Sequence, residues 1–341
     1  MKQVGIVGGA GYTAGELIRL LLNHPKVNLN FVFSTSKVGN HLYEVHQDLL
    51  GSTRLKFTNQ IDSMVDVVFL CLGHGNSKKF LEQNHFASHT KIVDLSTDFR
   101  LAKNAVFQEK TFVYGLPELN KEVIKKANYI ANPGCFATAI QLALLPLAHH
   151  NLLNSSVHIN ATTGATGLGV TPGETTHFSW RDNNFSIYKA FTHQHLDEIN
   201  ESLLHLQPHF LDELYFIPNR GNFSRGIFAS IYLKFDKNID EAFELFSDFY
   251  REAPFTHVSK IPVHLKQVVN TNNCFIHLEK YKNTLLMTSV IDNLLKGASG
   301  QAVQNMNLMY GFNEKEGLQL KATTFKLRNN ENSHFRNRKF R

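Results

Sequence analysis

The stretch that most constrains this chain comes at its start. Residues 4–7 are a short apolar run that breaks into Gly8-Gly9-Ala10-Gly11-Tyr12-Thr13-Ala14-Gly15 and continues as Glu16-Leu17-Ile18-Arg19-Leu20-Leu21-Leu22. Strand, glycine turn and helix in that order open a doubly wound α/β domain. Gly9, Gly11 and Ala14 fit a G-x-G-x-x-A spacing, and Gly8, Gly11 and Gly15 fit a wider one. In either register glycines let the backbone approach a pyrophosphate, and the N-terminus of the following helix meets its charge. Gly8, Gly11, Tyr12, Thr13 and Ala14 are therefore the expected dinucleotide contacts of this turn. A glycine turn alone is a weak signal; its place at the end of the first strand strengthens it.

His24-Pro25 stops the helix, and 28–33 reads as a second strand. An NAD site places an Asp or Glu near the end of that strand, on the ribose 2′-hydroxyl. Here the strand ends in Ser34-Thr35-Ser36-Lys37. Hydroxyls and an ammonium suit a 2′-phosphate that a carboxylate would repel, so Thr35, Ser36 and Lys37 point to NADP(H). The same four residues also make an ordinary polar turn. Residues 64–72 are apolar enough for a central parallel strand and end in Gly73-His74-Gly75-Asn76-Ser77. Ligands of open α/β sheets sit at the carboxyl ends of strands, which puts Gly73 beside the cofactor. A further strand, 91–95, opens into Ser96-Thr97-Asp98-Phe99-Arg100. There Arg100 either grips a substrate phosphate or carboxylate bidentately or pairs with a local acid such as Asp98.

The segment Asn132-Pro133-Gly134-Cys135-Phe136-Ala137-Thr138-Ala139 lies between an apolar strand and an apolar helix, 136–147. A thiol in a first helical turn faces unpaired N–H groups and the positive end of the dipole. Both stabilise thiolate and lower the pKa from about 8.5. Cys135 is thus a candidate nucleophile; the alternative is a small apolar filler at a helix–strand junction. Downstream, His193-Gln194-His195-Leu196-Asp197-Glu198 enters a helical pattern. Glu198 lies one turn from His195, where a carboxylate would hold the imidazole in one tautomer while the ring works as a base. His-x-His also suits a metal, but no third or fourth ligand stands at a recognisable spacing, so no metal is expected.

A chain of 341 residues is long enough for two domains. The strand-like segments 214–218, 227–235, 263–270, 274–281 and 284–291 follow one another with one main helix between them, 240–251. That pattern predicts a mainly antiparallel sheet unlike the first half. The expected organisation is a Rossmann domain from 1–134 and 297–325 and an α+β catalytic and oligomerisation domain from 135–296. A basic tail, 326–341, should have little order of its own. That tail carries six Lys or Arg against one Glu and accounts for most of the net charge of +6. The folded part therefore shows no basic stripe, and no nucleic-acid partner is expected. No leader and no membrane-length apolar run is evident, which predicts a cytoplasmic protein. Cys71, Cys135 and Cys274 are odd in number and widely spaced, so neither a disulfide framework nor a zinc pattern is expected.

Six segments together resemble one family. They are Gly8-Gly9-Ala10-Gly11-Tyr12-Thr13, Ser96-Thr97-Asp98-Phe99-Arg100, Tyr114-Gly115-Leu116-Pro117-Glu118, Asn132-Pro133-Gly134-Cys135, His193-Gln194-His195 with Glu198-Ile199, and Asp292-Asn293-Leu294 followed by Lys296-Gly297-Ala298. In order and spacing they are similar to the N-acetyl-gamma-glutamyl-phosphate reductases. The resemblance implies an NADP-binding Rossmann domain joined to a catalytic domain, as in the aspartate-semialdehyde and glyceraldehyde-3-phosphate dehydrogenase superfamily. It implies reduction of an N-acylated glutamyl 5-phosphate to its semialdehyde in arginine biosynthesis, with Cys135 as nucleophile and His195 as acid/base. It also adds Asn293 to the cofactor contacts and places His193 and Arg225 with Arg100 on the substrate. A homodimer or homotetramer is expected. The chain departs from the family at Phe136-Ala137, where Tyr-Pro is common, at Gln194, where Arg is common, and in its Thr-rich loop 162–169. These departures leave the acyl group open between acetyl and succinyl, with a carrier-bound aminoadipyl phosphate as a further alternative.

Overall fold

A computed structural model describes residues 1–325; the basic tail, 326–341, lies outside the described residues. The first half contributes β1 (Lys2–Val7), β2 (Val27–Phe33), β3 (Phe57–Thr58), β4 (Val67–Leu70), β5 (Lys91–Asp94), the hairpin β6 (Val106–Phe107) and β7 (Lys110–Thr111), β8 (Val113–Tyr114) and β9 (Tyr129–Ala131). Apart from the hairpin these strands form one sheet in the order β3-β2-β1-β4-β5-β9-β8, parallel throughout. All four residues of β4 are fully buried, as a strand with both faces covered requires. Helix α1 (Tyr12–Leu22) follows β1 directly; α2 (Ser77–Gln83) and α3 (Pro117–Ile124) complete this half. The turn into α1 depends on Gly8, which has φ +84°; a methyl there would lie 2.6 Å from the Cys71 carbonyl oxygen.

Helix α4 (Cys135–His149) carries the chain into the second half, and every side chain from Phe136 to Ala148 is buried. Strands β10 (Val157–Thr163), β11 (Ser186–Ile187), β12 (Leu214–Arg220), β13 (Ile227–Lys234), β14 (Thr256–Ser259), β15 (Cys274–Tyr281) and β16 (Thr284–Ile291) form the second sheet. Their order is β11-β12-β10-β13-β16-β15-β14. The centre and the β11 edge are antiparallel, but β10–β12 and β14–β15 are parallel, so the sheet is mixed. Parallel pairing of β10 and β12 follows from α6 (His195–Leu206), which provides the crossover between them. With the short α5 (Phe178–Arg181) and with α7 (Ile239–Phe249), the helices of this half are complete. The core joins α4, α6 and α7 to one sheet face.

The strand expected at 263–270 is not formed. Pro262 precedes this segment, which carries a single 3-10 turn, Leu265–Gln267, and Val263 and Val268 pack on Val290, Phe228 and Phe275. Its apolar residues cover the far side of the sheet instead of joining the ladder, and the edge strand is β14.

After β16 the chain makes a π-turn, Leu295–Ser299, and returns to the first sheet as α8 (Gly300–Met309). Ala302, Val303 and Met306 pack with Val4, Ile6 and Leu17, while Asn305 Nδ2 donates to the Gly115 carbonyl at 2.8 Å and to Asn132 Oδ1 at 3.1 Å. α8 thereby ties the nucleotide-side sheet to the loop before Cys135. No helix among the described residues is long and apolar enough to cross a membrane.

Candidate active site

Cys135 is the first residue of α4, with Gly134 as the N-cap in extended conformation. It lines a cleft of about 560 Å³ at the carboxyl ends of the first sheet's strands. Its lining includes Gly11, Tyr12, Thr13, Gly73 and Asn293 together with Cys135, Arg100, His193, His195, Tyr188 and Arg220. The structure thus brings the glycine turn, the thiol and both histidines to one cavity. Among the described residues no cluster of His, Cys, Asp or Glu is arranged to hold a metal ion.

Glu198 does a different job from the one its spacing predicts. Its Oε1 lies 3.9 Å from His195 Nε2, too far for a hydrogen bond. Instead Oε1 accepts from Arg100 Nη1 at 2.9 Å, and Oε2 accepts from Tyr114 Oη at 2.9 Å and from the Gly134 N–H at 3.0 Å. The carboxylate therefore anchors the N-cap of α4, the helix that Cys135 begins. Arg100 shares this work: its Nε donates to the Asn132 carbonyl at 2.8 Å and its Nη2 to the Leu95 carbonyl at 3.0 Å. Of the two readings of Arg100, the structure shows the pairing with an acid, and that acid is Glu198. Arg100 is a buried brace for the loop 132–134, facing the cleft with what donor capacity remains. Asp98, its other expected partner, instead accepts from the Gly75 and Lys78 N–H groups.

Burial pushes the Cys135 thiol up to about 11, against the Phe136 N–H and the Arg100 charge, which act in the opposite direction. The expected lowering at the helix start has the right sign, through the Phe136 N–H, but desolvation by burial outweighs it. At neutral pH the sulfur is a thiol and needs a base. His195 lines the same cleft. Burial first, then the positive charge of Arg100, holds its pKa well below the usual 6.5, so the ring is neutral, and its Nδ1 has no protein partner. The ring lies directly against the N-cap: a methyl on Gly134 would sit 2.3 Å from Nε2. His193 is lowered to about 4 by burial, with Lys189 and Arg220 adding to the effect. Its Nδ1 faces the His195 N–H at 3.2 Å, which puts its own proton on Nε2.

Arg225 is not in this cleft. Its Nη1 reaches Glu16 Oε1 at 2.9 Å and its Nε reaches Asp292 Oδ2 at 3.1 Å, so it joins α1 to the start of the π-turn region. Arg220, which the sequence reading missed, does line the cleft, together with Arg100 and Lys189. Its side chain is buried and its guanidinium lies 4.3 Å from the centre of the Tyr188 ring. It makes no ion pair among the described residues, and its Nε has no partner. The available signal was its position: an Arg closing an apolar strand, immediately before Gly221, at a cleft-facing end.

On the nucleotide side, the Gly8 and Gly9 N–H groups donate to the Phe33 carbonyl at 3.1 and 2.9 Å, which sets the end of β2 against the glycine turn. Thr35, Ser36 and Lys37 are exposed there. Nothing lies within 4 Å of a methyl built on Gly11, so the mouth of α1 is open, whereas Ala14 is buried and supports the turn from beneath. Asn293 lines the cleft and is fixed from the second half: its Oδ1 accepts from the Gly226 N–H at 2.7 Å and its Nδ2 donates to Thr166 Oγ1 at 3.1 Å.

Residues 3–127 match the semialdehyde dehydrogenase NAD-binding domain, and residues 135–293 match the semialdehyde dehydrogenase dimerisation domain. Solved structures agree on the fold. Aspartate semialdehyde dehydrogenase II of Vibrio cholerae superposes with a TM-score of 0.70 at 17% identity, over 91% of this chain and 98% of that one. The Candida albicans aspartate semialdehyde dehydrogenase, solved with NADP, gives 0.66 at 15% identity, over 91% and 98%. Fold and site together define an oxidoreductase of the semialdehyde dehydrogenase type, with a NAD(P)-binding Rossmann domain. Within that class the relatives are specific. N-acetyl-gamma-glutamyl-phosphate reductases of Christiangramia forsetii and Flavobacterium johnsoniae are 63% and 62% identical over 325 residues, 95% of this chain and all of theirs. That of Bacteroides fragilis is 52% identical over 326 residues, again 95% of this chain and all of its own. The chain belongs to the N-acetyl-gamma-glutamyl-phosphate reductase family.

Proposed function

We propose that this protein converts an N-acyl-L-glutamyl 5-phosphate to the N-acyl-L-glutamate 5-semialdehyde, in arginine biosynthesis, with NADPH as reductant and release of inorganic phosphate. The observation that carries the reading is the pairing in one cleft of a helix-terminal thiol with a neutral imidazole, facing an open dinucleotide turn. Cys135 Sγ attacks the acyl carbon as His195 takes its proton, and phosphate leaves with the electron pair of the broken C–O bond. A reduced nicotinamide, when bound, would supply the hydride for reduction of the acyl carbon. His195 then returns its proton to the sulfur as the aldehyde departs. The His193 Nε2–H is the donor for the carbonyl oxygen as it gains negative charge. Arg220, unpaired and desolvated, holds an anionic group of the substrate, and Arg100 with Glu198 keeps the thiol in place.

Residues Gly11, Tyr12, Thr13, Gly73 and Asn293 would receive the dinucleotide, and Thr35, Ser36 and Lys37 would receive a 2′-phosphate, since no acid stands at the end of β2. A second copy would pack on the part of the far sheet face that 263–270 leaves exposed, where His158 stacks between Tyr215 and Tyr232 at 5.2 and 4.9 Å. The function is tested with Cys135→Ser and His195→Asn. The first should abolish reduction while NADPH still binds; the second should lower turnover by at least ~100-fold. Turnover retained by the serine variant would overturn the assignment. A larger loss from His193→Asn than from His195→Asn would exchange the two histidines. Comparing turnover on acetylated and succinylated glutamyl phosphates identifies the acyl group.

A further inference from the structure

The π-turn Leu295–Ser299 touches both halves of the cleft at once. Its two wide hydrogen bonds run from the Gly297 N–H to the Asp292 carbonyl and from the Ser299 N–H to the Leu294 carbonyl, each 2.9 Å. Such turns are rare and recur at functional sites. This one is held rigidly from behind. Asp292, fully buried, accepts from the Leu294 and Leu295 N–H groups at 2.8 and 3.2 Å and from the Asn270 N–H at 2.7 Å. Lys296, also fully buried, donates to Glu118 Oε1 at 2.8 Å and Gln304 Oε1 at 3.0 Å.

What the turn presents forward is a set of contacts to the reacting parts. Gly297 lies so close to the nucleophile that a methyl on it would stand 2.8 Å from Cys135 Cβ. The Ala298 carbonyl accepts from Asn132 Nδ2 at 3.1 Å. Ser299, with no exposed surface, donates its hydroxyl to the Thr13 carbonyl at 2.8 Å, and Thr13 is in the first turn of α1. One rigid turn thus sets the cysteine helix and the dinucleotide loop against each other.

We infer that Ser299 is a positioning residue for hydride transfer, fixing the dinucleotide loop in register with Cys135 through the Thr13 carbonyl. The inference rests on the thioester reading above. The step concerned is the two-electron reduction of that thioester. The acyl carbon accepts a hydride as the dihydronicotinamide is oxidised; the C=O bond re-forms as the C–S bond breaks; the sulfur leaves with its electron pair and is protonated. Acylation, which precedes it, does not involve the dinucleotide loop.

The test is Ser299→Ala, a substitution that removes one hydroxyl and leaves no strained contact. In the protein without cofactor, backbone hydrogen exchange at residues 8–15 should rise while alkylation of Cys135 by iodoacetamide stays within two-fold of the parent. With substrate, the burst of phosphate release should also stay within two-fold. Single-turnover hydride transfer should fall by about ten-fold, half on a logarithmic scale of what a displacement of about 1 Å costs. The isotope effect with 4-deuterated NADPH should rise as that step becomes limiting. Unchanged hydride transfer and isotope effect would overturn the inference, as would acylation falling by the same factor as reduction. A parent enzyme that releases no phosphate when mixed with acyl phosphate in the absence of NADPH would overturn the thioester reading and this inference together, which tells that case apart.

Discussion

Replacing Glu198 with Gln separates the role the structure gives this residue from the one its spacing suggests. The Glu198 and Arg100 side chains are 3% and 5% exposed, so their charges meet with little solvent between them. Glutamine has one acceptor oxygen where Glu198 uses two. If that oxygen stays on Arg100, an amide N–H₂ faces the Gly134 N–H, and a buried backbone donor loses its partner at a cost of about 1–3 kcal/mol. In the reverse orientation the N–H₂ faces a guanidinium whose charge is then uncompensated, and breaking such a buried pair costs about 3–5 kcal/mol. The expected destabilisation is therefore about 3 kcal/mol, measured by urea unfolding. It should be accompanied by altered alkylation kinetics at Cys135, because the carboxylate holds the N-cap of its helix. In an Arg100→Met background the same substitution should cost at least about 2 kcal/mol less, since the charge it would strand is gone. A loss below about 1 kcal/mol with unchanged alkylation would refute this reasoning. So would an effect confined to the ionisation seen in the pH–rate profile, which would restore an orienting contact with His195.

Other consequences follow from the same geometry. Arg220→Met should raise KM for the acyl phosphate by at least ten-fold while NADPH binding, followed by fluorescence, is unchanged; an unaffected KM would remove Arg220 from the substrate site. Lys37→Ala should lower the preference for NADPH over NADH by about ten-fold through kcat/KM, and an unchanged ratio would place the 2′-phosphate elsewhere. The burial that lowers His193 to about 4 makes folding pH-dependent. The unfolded chain binds a proton near 6.5 and the folded one does not, so stability is full above that pH and falls as pH drops toward 4. Between pH 6.5 and 5 the loss should be about 2 kcal/mol by urea titration, and His193→Asn should remove that part of the slope. A parent stability flat across this interval would contradict the buried neutral imidazole.

How much of this was legible in the sequence differs by kind of feature. The strand–turn–helix at β1 and α1, the apolar run of α4 and the separation into parallel and largely antiparallel sheets follow from local pattern, and local pattern is what sequence displays. The parallel β10–β12 and β14–β15 pairs and the loss of a strand at 263–270 depend on which chain segments meet, which spacing does not encode. That Cys135, His193 and His195 share one cleft agrees with the sequence pattern, because helix starts and paired histidines are local. Glu198 was found for the wrong reason: three-residue spacing puts it near His195, but three stronger donors, from Arg100, Tyr114 and Gly134, claim its oxygens. Arg225 and Arg220 look alike in sequence. Two acids claim the first and none claims the second, a distinction only the packed chain makes. The thiol is likewise set by burial, which exceeds the helix-terminal effect that sequence could foresee.

The central claim is that Cys135 carries the acyl group, and intact-protein and peptide mass spectrometry tests it most directly. Mixing the enzyme with acyl phosphate in the absence of NADPH and quenching in acid should give one added acyl mass, with stoichiometric phosphate release. That mass should map to the peptide containing Cys135, be lost on treatment with hydroxylamine, and be absent from Cys135→Ser. Semialdehyde formation with no such adduct at any quench time, or with the adduct on another residue, would contradict the account.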